Sequence, residues 1–414
     1  MQRPFRTTLM LASAVIALCF VFSVGFVAGA TALGPGVPPP QVVAGDPPPE
    51  VTDKTEEIDF GLFWEAWNVI QDNYYDGPLP AETLREGAIR GLAQATEDPY
   101  TLYQDPEQAR RSSAHLSGSY VGVGIRIELR DDFPFVIQPL PQSPAEAAGI
   151  GIHEYVLAVD GVSTEGMALS DFGQLVRGER GTPVTLTLRR QGETTERDVT
   201  LIRDRIIVQS VTTRVIDDVG YMRIANFSSR TSGEVRLALS GFRTAGVERL
   251  IVDLRNNPGG LLDASVSATG RFLPEGEQIL RRESRNDPTH VYNAVGGFRD
   301  LRTPMVVLVN SGSASGSEVF AGALQAHGRA TLIGEQTHGK GSVQELHRLS
   351  DGSIVRVTTG IWFTPAGVAL AGAGSGLTPD LHVEMSEGQV GGDDDPVLAA
   401  GLETVRSLPL DLSR

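Results

Sequence analysis

Met305-Val306-Val307-Leu308-Val309 runs directly into Asn310-Ser311-Gly312-Ser313-Ala314-Ser315-Gly316-Ser317-Glu318, and from there into an apolar stretch that ends at Ala326. Consecutive apolar residues without alternation describe a strand covered on both faces. The turn of small residues, followed by helical spacing, describes a helix from about Ser315. The same alternation continues on either side. Val219 to Ile224 reads as a strand, Thr231 to Thr244 as a helix stopped by Gly246, Leu250 to Leu254 as the next strand, and a further strand centres on Leu332. Strands alternating with helices predict an α/β core, and no internal repeat of fixed period interrupts it.

From Tyr120 to about Arg203 the pattern changes. Val121 to Leu129 and Phe135 to Gln138 read as extended, and Ser143-Pro144-Ala145-Glu146-Ala147 as a capped short helix with proline in its first turn. Val156 to Val159 enters the turn Asp160-Gly161, Ser170 caps a helix through Val176, and strands Val184 to Arg189 and Arg197 to Ile202 close a compact β-rich module. Ahead of it, Phe60, Phe63, Trp64, Trp67 and Ile70 form one stripe at helical spacing, read as a packing face. A second helical pattern with Leu84, Ala88 and Leu92 ends at Asp98-Pro99. The expected organisation is multidomain α+β: a membrane anchor or signal over 1–33, a Pro-rich linker over 34–55, a helical N-terminal segment over 56–114, the β-rich module over 115–204 and the α/β core over 205–414.

Leu9 to Val27 is nearly all apolar and follows Arg3 and Arg6, so it is long enough to span a bilayer with its N-terminus in the cytoplasm and the remainder outside. A signal segment cut at Ala28-Gly29-Ala30 is the alternative, although the apolar run exceeds a usual signal core. The formal charge of -16 argues against nucleic acid and anionic lipid surfaces, which need clustered cations. The single cysteine, Cys19, lies in the apolar run, which removes disulfide frameworks and cysteine metal cages from consideration. No cofactor or metal is expected. Among 35 cationic residues only Lys54 and Lys340 are lysines. Arginine cannot give up its proton in a protein, whereas a desolvated lysine can, so a lysine kept within an arginine-rich chain is a candidate base. Lys54 sits in a polar linker; Lys340 sits in His338-Gly339-Lys340-Gly341.

Ser315 lies where strand turns into helix, where free N–H groups and the positive dipole end suit an oxyanion. With Glu318 three positions on it also reads as a plain capping box. Asp253-Leu254-Arg255-Asn256-Asn257-Pro258-Gly259-Gly260 follows a buried strand, and its glycine amides are either oxyanion donors or merely a turn. Gly334 to Gly341 is a near miss to a phosphate-binding loop. Gly341 stands where a hydroxyl residue would hold magnesium, and the extended run Val343, Leu346, Leu349 replaces the required helix. His327 reads as a helix-end cap, and His338 points to the face opposite Lys340. Asp393-Asp394-Asp395-Pro396 reads as the start of a final helix.

Together these segments closely resemble the C-terminal processing peptidases, or tail-specific proteases. The matching pieces are Asp98-Pro99-Tyr100-Thr101, Gly122-Val123-Gly124-Ile125, Ser143-Pro144-Ala145 with Ala148-Gly149-Ile150, Val219-Gly220-Tyr221, Asp253 to Leu261, Gly312 to Glu318, His327-Gly328-Arg329-Ala330, Gly339 to Gln344 and Thr364-Pro365. The resemblance implies a PDZ domain over the β-rich module and a ClpP/crotonase-like α/β peptidase core. It implies Ser315 as nucleophile, Lys340 as general base, Gln344 as the residue that orients the lysine, and Gly316 with Gly259 and Gly260 as oxyanion donors. The amides of Gly122, Val123, Gly124 and Ile125 would capture a terminal carboxylate beside a pocket for the last side chain. Departures from the family pattern are Ala326, Gly316 after the nucleophile, His338, and Gly151-Ile152-His153-Glu154-Tyr155 in place of a Gly-Asp turn.

The reading is a serine endopeptidase that cuts protein substrates with exposed apolar C-terminal tails, held to the membrane by its N-terminal anchor, with its catalytic part outside the cytoplasm. Nucleic acid is excluded; a homo-oligomer or an activating adaptor stays open. A catalytically silent PDZ scaffold that holds tails without cutting them is the alternative.

Overall fold

The computed structural model describes residues 59–285, 287–370, 375–386, 389–392 and 394–410. The expected anchor, linker and Lys54 lie outside the described residues. Among the described residues no helix is long and apolar enough to cross a membrane.

The core is a six-stranded sheet in the order Val211–Ile216, Val219–Ile224, Arg249–Asp253, Met305–Val309, Thr331–Gly334 and Leu381–His382. The first pair is antiparallel and every later pair parallel. Alternate side chains face opposite ways. Met222, Ile224, Leu250, Val252, Val307 and Leu332 join one apolar cluster with the helices Thr231–Thr244, Leu262–Thr269 and Gly316–Ala326. Tyr221, Ile251, Val306, Leu308 and Ile333 join another, with Val397 and Val405 of the helix Pro396–Ser407. Both faces are covered, which is why these strands read as unbroken apolar runs. The sequence bounds for Val219–Ile224, Thr231–Thr244 and Met305–Val309 coincide with the observed ones.

A second sheet runs Leu102–Gln104, Ile354–Phe363, Gln278–Ser284 and His290–Asn293, with Ser342–Arg348 also paired to Ile354–Phe363. Residues 102–104 therefore belong to a sheet whose other strands come from the core region of the chain. Over 115–204, the strands Ile125–Arg130, Phe133–Pro139, Glu154–Val159, Pro183–Arg190 and Glu196–Ile202 form an antiparallel sheet around Val136, Val156, Phe172, Leu186 and Leu188. Ser119–Gly122 pairs antiparallel with Asp204–Ile207, so the chain enters and leaves this module through one ribbon.

Four expectations are corrected. The continuous strand over Val121 to Leu129 is broken at Gly124, whose φ of 77° turns the chain. Ser170 is not a cap: the helix begins at Leu169 after Ala168, without a side-chain cap. The helix with Leu84 and Ala88 stops at Gln94, short of Asp98, and Leu92 is exposed. The aromatic stripe packs mainly on itself. Phe63 stacks edge-on to Trp64 at 5.2 Å, and Phe60, Phe63, Trp64 and Ile70 are exposed because the helix Gly61–Asn73 buries no residue. At the unusual Gly151-to-Tyr155 segment, His153 takes a φ of 65° and the strand still starts at Glu154. The Glu154 carboxylate accepts from the Gly151 N–H at 3.2 Å and from Arg197 at 2.9 Å.

The C-terminal helix is fixed by charge. Arg255, fully buried, donates from Nη2 to Asp253 at 2.6 Å and from Nη1 to Asp395 at 2.7 Å. Asp395 also caps the helix Pro396–Ser407, accepting from the Leu398 N–H at 2.9 Å. Burial pushes the Asp395 carboxyl up, but the bonds from Arg255, Gly391 and Leu398 outweigh it and hold the group below its ordinary 3.8. Asp395→Asn keeps a capping residue and removes one charge from a buried cluster. It is expected to lower stability by about 3 kcal/mol, read as a lower denaturation midpoint. Because the folded value lies below the unfolded one, this stabilisation is present above pH 3.8 and lost as pH falls through the folded value. The gap between variant and unaltered chain should therefore narrow in acid.

Candidate active site

Three loops leave the C-terminal ends of three adjacent parallel strands. Asp253 pairs with Leu308, and Val309 with Gly334, so the loops that follow lie side by side. Side-chain amides and hydroxyls join the first two. Asn310 Oδ1 accepts from the Asn256 N–H at 2.8 Å, and its Nδ2 donates to Asn256 Oδ1 at 2.8 Å. The Ser313 hydroxyl donates to the Leu254 carbonyl at 2.9 Å, and the Ser317 hydroxyl to the Asn257 carbonyl at 2.8 Å.

Ser315 sits at the N-cap of the helix Gly316–Ala326 with φ 53° and ψ -112°. A side chain in that region is strained, and only fixed surroundings hold it there. Gly259 supplies part of them. A Cβ on Gly259, whose φ is 96°, would lie 2.7 Å from the Ala314 carbonyl oxygen and the Gly316 nitrogen, and 2.8 Å from Ser315 Cβ. Only the absence of a side chain lets this loop touch the serine turn.

The third loop meets that turn through Glu318. Its fully buried carboxylate accepts from the Ser315 N–H at 2.8 Å, the Thr337 hydroxyl at 2.6 Å, the Gly339 N–H at 2.6 Å and the Lys340 N–H at 2.9 Å. The expected capping partner thus also binds the loop that carries Lys340. The spacing of Ser315 and Glu318 was the only sequence signal for this residue, and it pointed to a cap alone.

Lys340 is half-buried. Burial lowers its amine to about 8, helped by the Arg356 guanidinium and opposed by Asp98 and Glu318. Its Nζ lies 4.5 Å from the centroid of the Tyr100 ring, and no hydrogen bond joins it to Ser315 Oγ. Gln344 does not orient it here. The Gln344 Oε1 accepts from Arg356 at 2.9 Å, and its Nε2 donates to the Ser342 hydroxyl at 2.7 Å. His338 is exposed, and His327 Nε2 lies 2.7 Å from the Gln278 carbonyl at its helix end.

The glycine amides separate into two kinds. The Gly259 N–H donates to Asn257 Oδ1 at 2.9 Å and is spent, which corrects its reading as a donor. The N–H groups of Gly316 and Gly260 have no acceptor among the described residues. In the other module, the Val123 and Gly124 N–H groups are likewise open, whereas their carbonyls accept from Ala145 and Leu140. Gly122 closes the entry ribbon opposite Asp204, and Ile125 begins the edge strand of the five-stranded path. Among the described residues no group of His, Cys, Asp and Glu side chains converges as a metal would require.

A model of peptidase family S41 matches residues 218–383, and a PDZ-domain model matches residues 135–190. A carboxy-terminal-processing protease of Bartonella bacilliformis is 36% identical over 308 residues, 73% of this chain and 70% of that one. A CtpA-like serine protease of Staphylococcus aureus is 34% identical over 338 residues, 81% of this chain and 67% of that one. A solved S41 protease structure from Bacteroides fragilis has the same fold, with a TM-score of 0.51 at 16% identity over 83% of this chain and 97% of that one. Identity of this extent, with the two family models matching the PDZ module and the region that carries the loops just described, shows that the chain belongs to peptidase family S41 as a PDZ-bearing serine protease of the C-terminal-processing kind.

Proposed function

We propose that this protease cuts protein substrates through a Ser315–Lys340 dyad after its PDZ module has captured their C-terminal tails. The observation that carries the reading is the buried Glu318 carboxylate, which ties the Ser315 turn and the Lys340 loop into one unit. Neutral Lys340 Nζ takes the Ser315 proton as Oγ attacks the scissile carbonyl. The oxyanion then sits against the Gly316 and Gly260 N–H groups, each such donor being worth roughly 3–4 kcal/mol of barrier. Collapse expels the amine, which takes that proton from the Lys340 ammonium; neutral Lys340 then accepts a proton from the water that attacks the acyl-enzyme and returns it to Ser315 Oγ as the acid leaves. Gly259 serves by its shape. Gln344 holds Arg356, and through it the electrostatics around the lysine.

For capture, the strand Ile125–Arg130 ends its sheet, so its outer edge can accept a peptide as an added strand, with Val123 and Gly124 amides free for the carboxylate. The apolar run Leu9 to Val27 supports a tether that places the protease outside the cytoplasm.

The full chain should fragment an unfolded protein such as casein, and Ser315→Ala should abolish the fragments; persistence of cutting in Ser315→Ala would overturn the assignment. Lys340→Arg should be as inactive as Lys340→Ala, since arginine cannot act as a neutral base. The rate kcat/KM should rise with pH through about 8 and then level off, because the amine works only after losing its proton. Gly259→Ala should lower kcat by at least about 100-fold while leaving the chain folded, because the new methyl displaces the serine turn.

A further inference from the structure

The dyad explains Lys340 and Ser315 but leaves one contact unused. Tyr100 stands far from Lys340 in sequence, yet its ring faces the amine at 4.5 Å. It is held there firmly. The Tyr100 N–H donates to Asp98 Oδ1 at 3.1 Å, and the Thr101 hydroxyl to Asp98 Oδ2 at 2.7 Å. The Thr358 N–H donates to the Thr101 hydroxyl at 3.1 Å, and Leu102–Gln104 then pairs with Ile354–Arg356. These bonds belong to the segment that resembles the family motif Asp98-Pro99-Tyr100-Thr101, for which the dyad gives no role.

We propose that Tyr100 is a positioning residue for the general base: its ring holds the Lys340 ammonium away from Ser315 and releases the amine once it is neutral. The proposal rests on Lys340 being the base. An aromatic face attracts a cation through its quadrupole and has no such attraction for a neutral amine. The protonated lysine is therefore retained at the ring, and the neutral one is free to turn toward the hydroxyl. This fits the absence of a hydrogen bond between Lys340 Nζ and Ser315 Oγ here. The other charged groups facing the amine are Asp98 beside the ring, Glu318 from the serine helix and Arg356 from Ile354–Phe363. The two carboxylates favour the ammonium and the guanidinium disfavours it, so Tyr100 adjusts a balance that is already close.

The test is the pH profile of kcat/KM on casein, using the full chain and its variants. Tyr100→Leu keeps an apolar wall and removes the ring, so the midpoint should fall by roughly half to one pH unit, raising the rate several-fold below the midpoint. Tyr100→Phe keeps the ring and should keep the midpoint. Tyr100→Trp, with a stronger cation-binding face, should move it upward. With only two lysines in the chain, acetic anhydride labelling followed by mass spectrometry titrates Lys340 directly, even in a variant that has lost activity. An unmoved Lys340 titration in folded Tyr100→Leu, or a Tyr100→Phe shift as large as that of Tyr100→Leu, would overturn the proposal. If Lys340→Arg is inactive in the same series, the dyad survives that result; if Lys340→Arg cuts casein, the dyad itself fails and this inference with it.

Discussion

The Glu318 carboxylate is the interaction on which the site depends. Four donors from two separate loops converge on it in a place without solvent, where an unmet donor costs about 1–3 kcal/mol and bonds to a charged acceptor are stronger than neutral ones. Neither loop can shift without leaving buried polar groups unpaired. The Thr337 hydroxyl extends this restraint, since it donates to Glu318 and accepts from the Leu377 N–H at 2.8 Å. What would otherwise be two flexible, glycine-containing turns becomes a single rigid corner built on three parallel strands.

That rigidity is what a strained serine requires. A φ of 53° at Ser315 persists only if the surroundings determine it from several directions. Glu318 fixes the N–H side of the residue, the helix continues from it, and Gly259 packs against the following peptide. Asn257 spends its side chain on the Ile224 carbonyl and the Gly259 N–H, which fixes how the first loop presents the Gly260 amide. Asn256 and Asn310 then close the two loops on one another. With polar side chains used in this way, the Gly316 and Gly260 N–H groups are left without an acceptor among the described residues.

Much of this was legible in the sequence. The apolar run Met305–Val309, the Ser-rich turn and the Gly246 stop all act locally, through burial and backbone chemistry, so core elements could be placed to the residue. What could not be read depends on partners distant in the chain. Glu318 showed only its local bond to Ser315, because Thr337, Gly339 and Lys340 come from another loop. Gln344 was carried over by position, and only the fold shows Arg356 across the neighbouring strand taking its oxygen. The aromatic stripe of Gly61–Asn73 has the periodicity of a packing face, but periodicity cannot say whether another element meets it. The Gly259 and Gly260 amides look alike in sequence; Asn257 alone distinguishes them.

The scarcity of lysine takes on a physical meaning at this corner. Arg356 lies close enough to lower the Lys340 amine, while Asp98 and Glu318 raise it, and burial is the largest influence. An arginine at 340 would meet the same surroundings and stay charged, because its proton is held too tightly for burial to remove. A more exposed lysine would also stay charged, for want of desolvation. Glu318 is thus in tension with the lysine whose loop it holds: the carboxylate that fixes the loop also favours the ammonium. Burial and Arg356 must outweigh that preference, and the amine near 8 is where the opposing influences balance. An amine so poised changes its charge with small changes in its surroundings, since each of these influences acts on it directly.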